Sequence, residues 1–166
     1  MLVGIMSDSH GDTVTTAQAV ELLTQRGAKK LFHCGDICGA DVLAELAGHD
    51  AAFVWGNCDA PSASLREYVA TLGLPWPQEP VRMEIDGKRI AVCHGHEKEF
   101  RRAAEDPTLD YLFYGHTHRY ADRRKGRCRI INPGALHRAA IKTVATLDLL
   151  ADDLRFWRID TGQEIR

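Results

Sequence analysis

No apolar run in the 166-residue chain approaches the roughly 20 residues that span a bilayer, so no membrane segment is expected. No basic region and long apolar segment open it, since Met1 leads straight into a strand-like run. A signal peptide is therefore not expected, and the cytoplasm is the expected location. Positive charge is not in excess. The 21 Lys and Arg stand against 23 Asp and Glu, a formal −2, which removes any general attraction to nucleic acid or anionic lipid. Cysteine is scarce and odd in number. Cys34, Cys38, Cys58, Cys93 and Cys128 fall at irregular spacings that suit no disulfide framework. The Cys34 and Cys38 pair has no second pair to complete a zinc ribbon, so the five read as buried, reduced thiols. Repeats, low-complexity segments and linkers are missing too, and residues 1–166 read as a single domain without a large cap domain.

What the chain does have is one recurring device. Five apolar runs each end in a polar cluster of Asp, Asn or His, punctuated by Gly in four of the five. Leu2–Met6 leads into Asp8-Ser9-His10, and Leu31–Cys34 into Gly35-Asp36. Ala51–Trp55 leads into Gly56-Asn57-Cys58-Asp59, and Ile90–Cys93 into His94-Gly95-His96. Tyr111–Tyr114 leads into Gly115-His116-Thr117-His118. Short apolar runs of this kind read as buried strands, and the Gly allows a sharp turn at the strand end.

The remaining pattern supplies the frame. Asp12 or Thr13 can cap a helix running to about Arg26, with Gly27 as its stop. Lys30–Cys34 is a strand, a helix follows over about 41–47, and Ala51–Trp55 is the next strand. This βαβαβ order implies parallel pairing with right-handed crossovers. Ser62 caps a helix to about Leu72, and the loop from Gly73 to Pro77 is rigid. Val81–Ile85 and Lys88–Cys93 read as a hairpin turning at Asp86-Gly87. A helix follows over Glu97–Glu105. Arg127–Ile131, Thr143–Leu149 and Leu154–Ile159 are strand-like. The fold class is α/β: two sheets packed face to face with helices outside. Arg119, Arg123, Arg124, Lys125, Arg127 and Arg129 surround Gly126 on a hairpin turn; they read as a solvated loop, with an anion-attracting rim beside the site as the sharper alternative. No aromatics interleave with them, so no dedicated nucleic-acid surface is expected.

In open α/β sheets, sites form beyond the carboxyl ends of the strands. Every cluster above sits at such an end. Together they offer Asp8, His10, Asp36, Asn57, His94, His116 and His118: two carboxylates, one amide and four imidazoles. Seven ligands suit two ions sharing one carboxylate. Mixed oxygen and imidazole ligation without thiolate fits Mn, Fe, Zn, Ni or Co better than Mg or Ca. Two such cations, roughly 3.5–4 Å apart, can clamp a phosphoryl oxygen and lower the pKa of a shared water, so that a bridging hydroxide attacks phosphorus.

The order Asp-x-His, Gly-Asp, Gly-Asn-x-Asp, His and Gly-His-x-His resembles the calcineurin-like metallophosphoesterase superfamily. It is most similar to the small bacterial and archaeal phosphodiesterases of the YfcE-like branch, which also includes the scaffold subunit of eukaryotic retromer. The resemblance runs from Asp8 through Asn132-Pro133-Gly134. It implies a four-layer α/β/β/α sandwich and a binuclear metal-dependent phosphodiesterase, with manganese first among the candidate metals. Asp8, His10, Asp36 and His118 would hold one ion. Asp36, Asn57, His94 and His116 would hold the other, with Asp36 bridging. Asp36, Asn57, Cys58, Asp59 and His94 are the candidate catalytic residues, and Asn57, Cys58 and His96 the candidate substrate-binding ones, His96 reading equally as pocket lining or as plainly exposed.

Two positions depart from the pattern. Many members carry His after the Asn, where this chain has Cys58, and the Asn-Pro-Gly is followed by Ala135 instead of Ser. Of the other histidines, His33 reads as a buried structural residue, and His49 and His137 have no partner motif. Leu74 and Trp76 read equally as pocket wall or as core. The expected partner is a small phosphodiester, with a homo-oligomer left open. The rival readings are a scaffold that keeps the fold without the chemistry, which should have lost ligands, and a nuclease, which should carry an added domain.

Overall fold

A computed structural model of the chain describes residues 1–165. The expected βαβαβ opening is present: β1 (Leu2–Met6), α1 (Thr13–Gln25), β2 (Lys30–His33), α2 (Ala40–Ala44) and β3 (Ala51–Phe53). Asp12 caps α1, its carboxylate accepting from the Thr15 amide at 2.9 Å and the Thr15 hydroxyl at 2.8 Å. Gly27, with φ +93°, ends it. Then come α3 (Ala63–Thr71), β4 (Val81–Ile85), β5 (Lys88–Val92), α4 (Lys98–Glu105) and β6 (Tyr111–Phe113). Ser62 caps α3 through the Leu65 amide at 3.1 Å. The chain closes with β7 (Ala121–Lys125), β8 (Cys128–Asn132), β9 (Thr143–Asp148), β10 (Asp153–Arg158) and β11 (Glu164–Ile165).

One sheet has the order β11-β10-β9-β1-β2-β3 and the other β4-β5-β6-β8-β7. β1, β2 and β3 run parallel, as do β5, β6 and β8. Alternation along the strands makes the layers. Val3, Ile5, Phe32 and Ala52 face Ile90, Val92, Tyr111 and Phe113 in a core between the sheets. Phe32 meets Phe113 edge-on at 5.3 Å, a contact worth about 0.5–1.5 kcal/mol beyond its buried area. The opposite faces pack on helices: Met6 and Leu31 under residues of α1, α2 and α3, and Ala91, Leu112 and Ile130 under Ala103 of α4. The result is the expected four-layer α/β/β/α sandwich of two mixed sheets.

Several details differ from the sequence pattern. β2 and β3 stop at His33 and Phe53, because the chain leaves the ladder early to turn toward the strand-end clusters. β7 has no period-two apolar alternation to reveal it; four of its five residues are charged, which suits an exposed edge strand. Its hairpin with β8 turns at Gly126, at the amino end of β8 and so at the far end from the site. Arg124 pairs with Asp152, Lys125 with Glu105 and Arg127 with Asp110. Arg129 pairs with Asp122 and Asp152. From Arg123 onward the basic run is thus a surface ribbon remote from the site, largely ion-paired, and not a rim beside it. Leu74 and Trp76 pack on the helix-side core.

Candidate metal centre

The carboxyl ends of β1, β2 and β3 meet those of β5, β6 and β8 along one edge of the sandwich. Backbone hydrogen bonds knit the turns there: Asp8 N to Gly35 O at 3.0 Å, His10 N to Asp36 O at 2.9 Å, and Gly115 N to His94 O at 2.8 Å. Asp8, His10, Asp36, His116 and His118 all have φ between +44° and +65°. Non-glycine residues rarely adopt this region, and where they do the surrounding structure must hold them there. The glycines make room for the ligands. A Cβ on Gly115 would lie 2.6 Å from Asp8 Oδ2, and one on Gly56 would lie 2.1 Å from Asp36 Oδ1.

Asp8, His10, Asp36 and His118 bring one donor atom each to within 4.8 Å of one another. His118 Nε2 is 3.2 Å from Asp8 Oδ1 and 3.2 Å from His10 Nε2, and His10 Nε2 is 3.6 Å from Asp36 Oδ2. Donors about 2.1 Å from a common ion are about 3.4 Å apart at tetrahedral angles. The observed spacings therefore fit a cation. On the other side of Asp36, His94 Nδ1 is 2.7 Å from the Cys34 carbonyl, which fixes the tautomer with the proton on Nδ1. His94 Nε2 then carries a lone pair. It is buried without a hydrogen-bond partner, 3.4 Å from Asp36 Oδ2. Two acceptors facing each other at that distance repel unless a cation lies between them. Asp36 thus lies between both halves of the expected ligand set.

The second half is more open. His116 is exposed, its ring 5.2 Å from that of His94. Asn57 is exposed too, with its amide nitrogen 3.5 Å from Cys58 Sγ. His96, also exposed, has its ring 5.5 Å from His94 and 6.0 Å from His116. Burial raises Asp8 above the usual carboxylate range, a cost that a bound cation would offset. Burial pushes Asp36 the same way. The Cys58 amide, donating at 2.8 Å, opposes it, and Asp36 is held below its ordinary value. Burial lowers His10, keeping the imidazole in the neutral form that ligates metals.

Cys38 and Cys58 are exposed at this edge, a correction to the expectation that all five thiols are buried. Their sulfurs and a His10 nitrogen lie within 4.8 Å of one another. Desolvation and then the Asp36 carboxylate raise Cys58 above the ordinary thiol value, so it stays protonated at neutral pH. Asp59 is not turned toward the ligands. Its carboxylate accepts from the amides of Gly56 at 2.7 Å, Cys38 at 2.7 Å and Ile37 at 3.2 Å, which ties the turn after β2 to the turn after β3. It holds Asp36 and Asn57 in register.

Three supporting residues escaped the sequence reading. Glu97 accepts from the amides of His94 and Gly95, each at 2.7 Å, and meets His96 Nδ1 at 3.1 Å. Asn132 is buried and donates to Gly115 O at 2.7 Å and Thr117 Oγ1 at 3.1 Å, which anchors the loop carrying His116 and His118. Its Asn-Pro-Gly setting was the one signal available. His137, expected without a role, lies with its ring 6.1 Å from His10, and its amide donates to Asp8 O at 3.0 Å. His33 is buried, with Nε2 2.6 Å from Ser9 Oγ, and burial lowers it to about 3, so it is the expected structural imidazole.

Comparison with known proteins agrees with this geometry. Residues 1–152 match the calcineurin-like phosphoesterase superfamily domain. Phosphodiesterase MJ0936 of Methanocaldococcus jannaschii is 27% identical over 89% of this chain and 93% of its own. The solved structure of Escherichia coli YfcE, described as a phosphoesterase, has a TM-score of 0.76 at 25% identity, covering 100% of this chain and 97% of that one. Entamoeba histolytica Vps29, solved with zinc, has a TM-score of 0.67 at 18% identity over 99% of this chain and 96% of its own, a likeness of fold.

Proposed function

The chain belongs to the calcineurin-like phosphoesterase superfamily and is a hydrolase of phosphoric diesters, and we propose that it works through two divalent cations that share Asp36. The observation that carries this reading is His94. Its tautomer is fixed by the Cys34 carbonyl and its lone pair faces the same Asp36 oxygen that His10 approaches from the other side. Asp8, His10 and His118 complete one set with Asp36, and Asn57, His94 and His116 the other. When bound, the pair supplies Lewis acidity to the phosphoryl oxygens and acidifies a water for in-line attack. Manganese is the first candidate, with Ni, Zn, Fe and Co behind it.

The protein's own residues do the rest. The buried carboxylates would offset the cations' charge, and the imidazoles would present lone pairs. Glu97, Asp59 and Asn132 hold the three turns so that the donors stay converged. Cys58 offers only a weak, neutral donor where many relatives have His. With so weak a donor at Cys58, stabilisation of the leaving oxygen would fall to the bound cations, which would favour diesters with good leaving groups, such as nitrophenyl esters, over monoesters and cyclic nucleotides. Cys58 and the exposed His96 are the substrate-facing residues, with Asn57 beside them. Residues 1–166 form one domain in this reading. Among the described residues no helix is long and apolar enough to cross a membrane. A scaffold role has only the Vps29 fold in its favour, and the ligand set here is complete.

The test is to strip metal, reconstitute with single ions and assay a panel of phosphate esters alongside elemental analysis. The expected result is up to two transition-metal ions per chain and diesterase activity that returns with them. Equal turnover of a phosphodiester after exhaustive chelation overturns the reading.

A further inference from the structure

Beside His118 the surface opens into a groove of about 580 Å³ between residues 117–120 and residues 138–141. Its walls combine two chemistries. Tyr120 and Ile141, each 44% exposed, give it an apolar side, and Tyr120 is braced against Phe156 at a ring distance of 5.2 Å. Arg119 and Arg138 give it positive charge. Neither is ion-paired among the described residues, unlike Arg124, Arg127 and Arg129 on the neighbouring ribbon. Arg138 is positioned with care. The two residues before it are pinned to the end of β1 by Leu136 N to Ser7 O and His137 N to Asp8 O, both at 3.0 Å, and Arg138 itself sits at φ +53°. On the other wall, Asn132 anchors Thr117, two residues before Arg119.

We infer that this groove is the subsite for one arm of the diester, and that it selects an arm carrying an aromatic ring and a second phosphate. The inference rests on the diesterase reading of the adjoining centre. A guanidinium can grip a phosphate through two parallel hydrogen bonds, and two unpaired arginines flanking one groove suit a dianion better than a neutral arm. An exposed Tyr ring offers a face to a base or aryl group. Binding energy gathered on a remote arm lowers KM, and raises kcat where it aligns the reacting phosphorus. A nucleoside-like alcohol with a further phosphate meets both requirements.

The test compares two substrates on the metal-loaded protein: the para-nitrophenyl phosphodiester of thymidine, and the same molecule phosphorylated on its remaining sugar hydroxyl. The wild type is expected to prefer the phosphorylated form by about tenfold or more in kcat/KM, mostly through KM. The ratio should fall to about one in Arg119→Gln/Arg138→Gln, and should persist in Arg101→Gln, an exposed change on α4. No preference in the wild type, or a preference that survives the double substitution, overturns the inference while leaving the diesterase reading intact. If no nitrophenyl diester turns over, the diesterase reading fails. Calorimetry with thymidine bisphosphate then decides the groove by itself: binding weakened about tenfold by the double substitution sustains it, and equal or absent binding overturns it.

Discussion

Replacing Asp36 by Asn exchanges one oxygen for nitrogen at the point where both ligand sets meet. The side chain keeps its size, which matters because Gly56 leaves no room beside Asp36 Oδ1. It also keeps an oxygen for the Cys58 amide, bonded at 2.8 Å. What disappears is the negative charge, 3.6 Å from His10 Nε2 and 3.4 Å from His94 Nε2. A unit charge and its counterion about 4 Å apart interact by roughly 4 kcal/mol at an effective dielectric of 20. If the loss falls on the transition state, 4 kcal/mol is about a thousandfold in rate. Three measurements check this: hydrolysis of bis(para-nitrophenyl) phosphate at saturating manganese, metal content after gel filtration, and the thermal midpoint of the metal-free protein. Turnover should fall about a thousandfold and tightly bound metal should be lost, while the metal-free midpoint stays within a few degrees. A variant that keeps its metal and more than a tenth of wild-type turnover would refute the bridging role.

Other outcomes follow from the same geometry. His118→Ala and His116→Ala should each cost at least about a hundredfold in diester hydrolysis, each with loss of a different ion, and near-wild-type rates at saturating metal would remove that histidine from the ligand set. Cys58→Ala should change nitrophenyl diester hydrolysis by less than about tenfold, whereas Cys58→His should improve esters with poorer leaving groups by about tenfold or more, since an imidazole can donate a proton; a collapse of Cys58→Ala as deep as that of Asp36→Asn would mean that the thiol reacts covalently. His33 is lowered to about 3 from 6.5, so the unfolded chain binds its proton first, and stability that is intact above pH 6.5 is lost as pH falls toward 3. At pH 5 this is about 2 kcal/mol, so melting of the metal-free protein from pH 7.5 to 5 should show a steeper loss in the wild type than in His33→Gln; parallel curves would sink this account.

Most of the strands and the polar clusters at their ends were legible in the chain because each is local. A buried strand needs only a short apolar run, so Asp8, Asp36, His94 and His118 could be placed directly beyond strand ends. β7 escaped because an edge strand buries little, and its residues Asp122, Arg123, Arg124 and Lys125 show no alternation. The support of the site was decided elsewhere. Asp59 clamps Cys38 across 21 positions, Asn132 holds Gly115 across 17, and Asp8 accepts from His116 across 108. A carboxylate that ligates an ion and one that ties two turns together are the same residue type in a sequence. Only the packing of the two sheets brings Asp36 between His10 and His94, turns Asp59 away onto three backbone amides, and leaves Arg138 without an ion pair among the described residues at the rim of the site. Hydrogen bonds and ion pairs depend on distance in space, and over such separations that distance exists only once the core has closed.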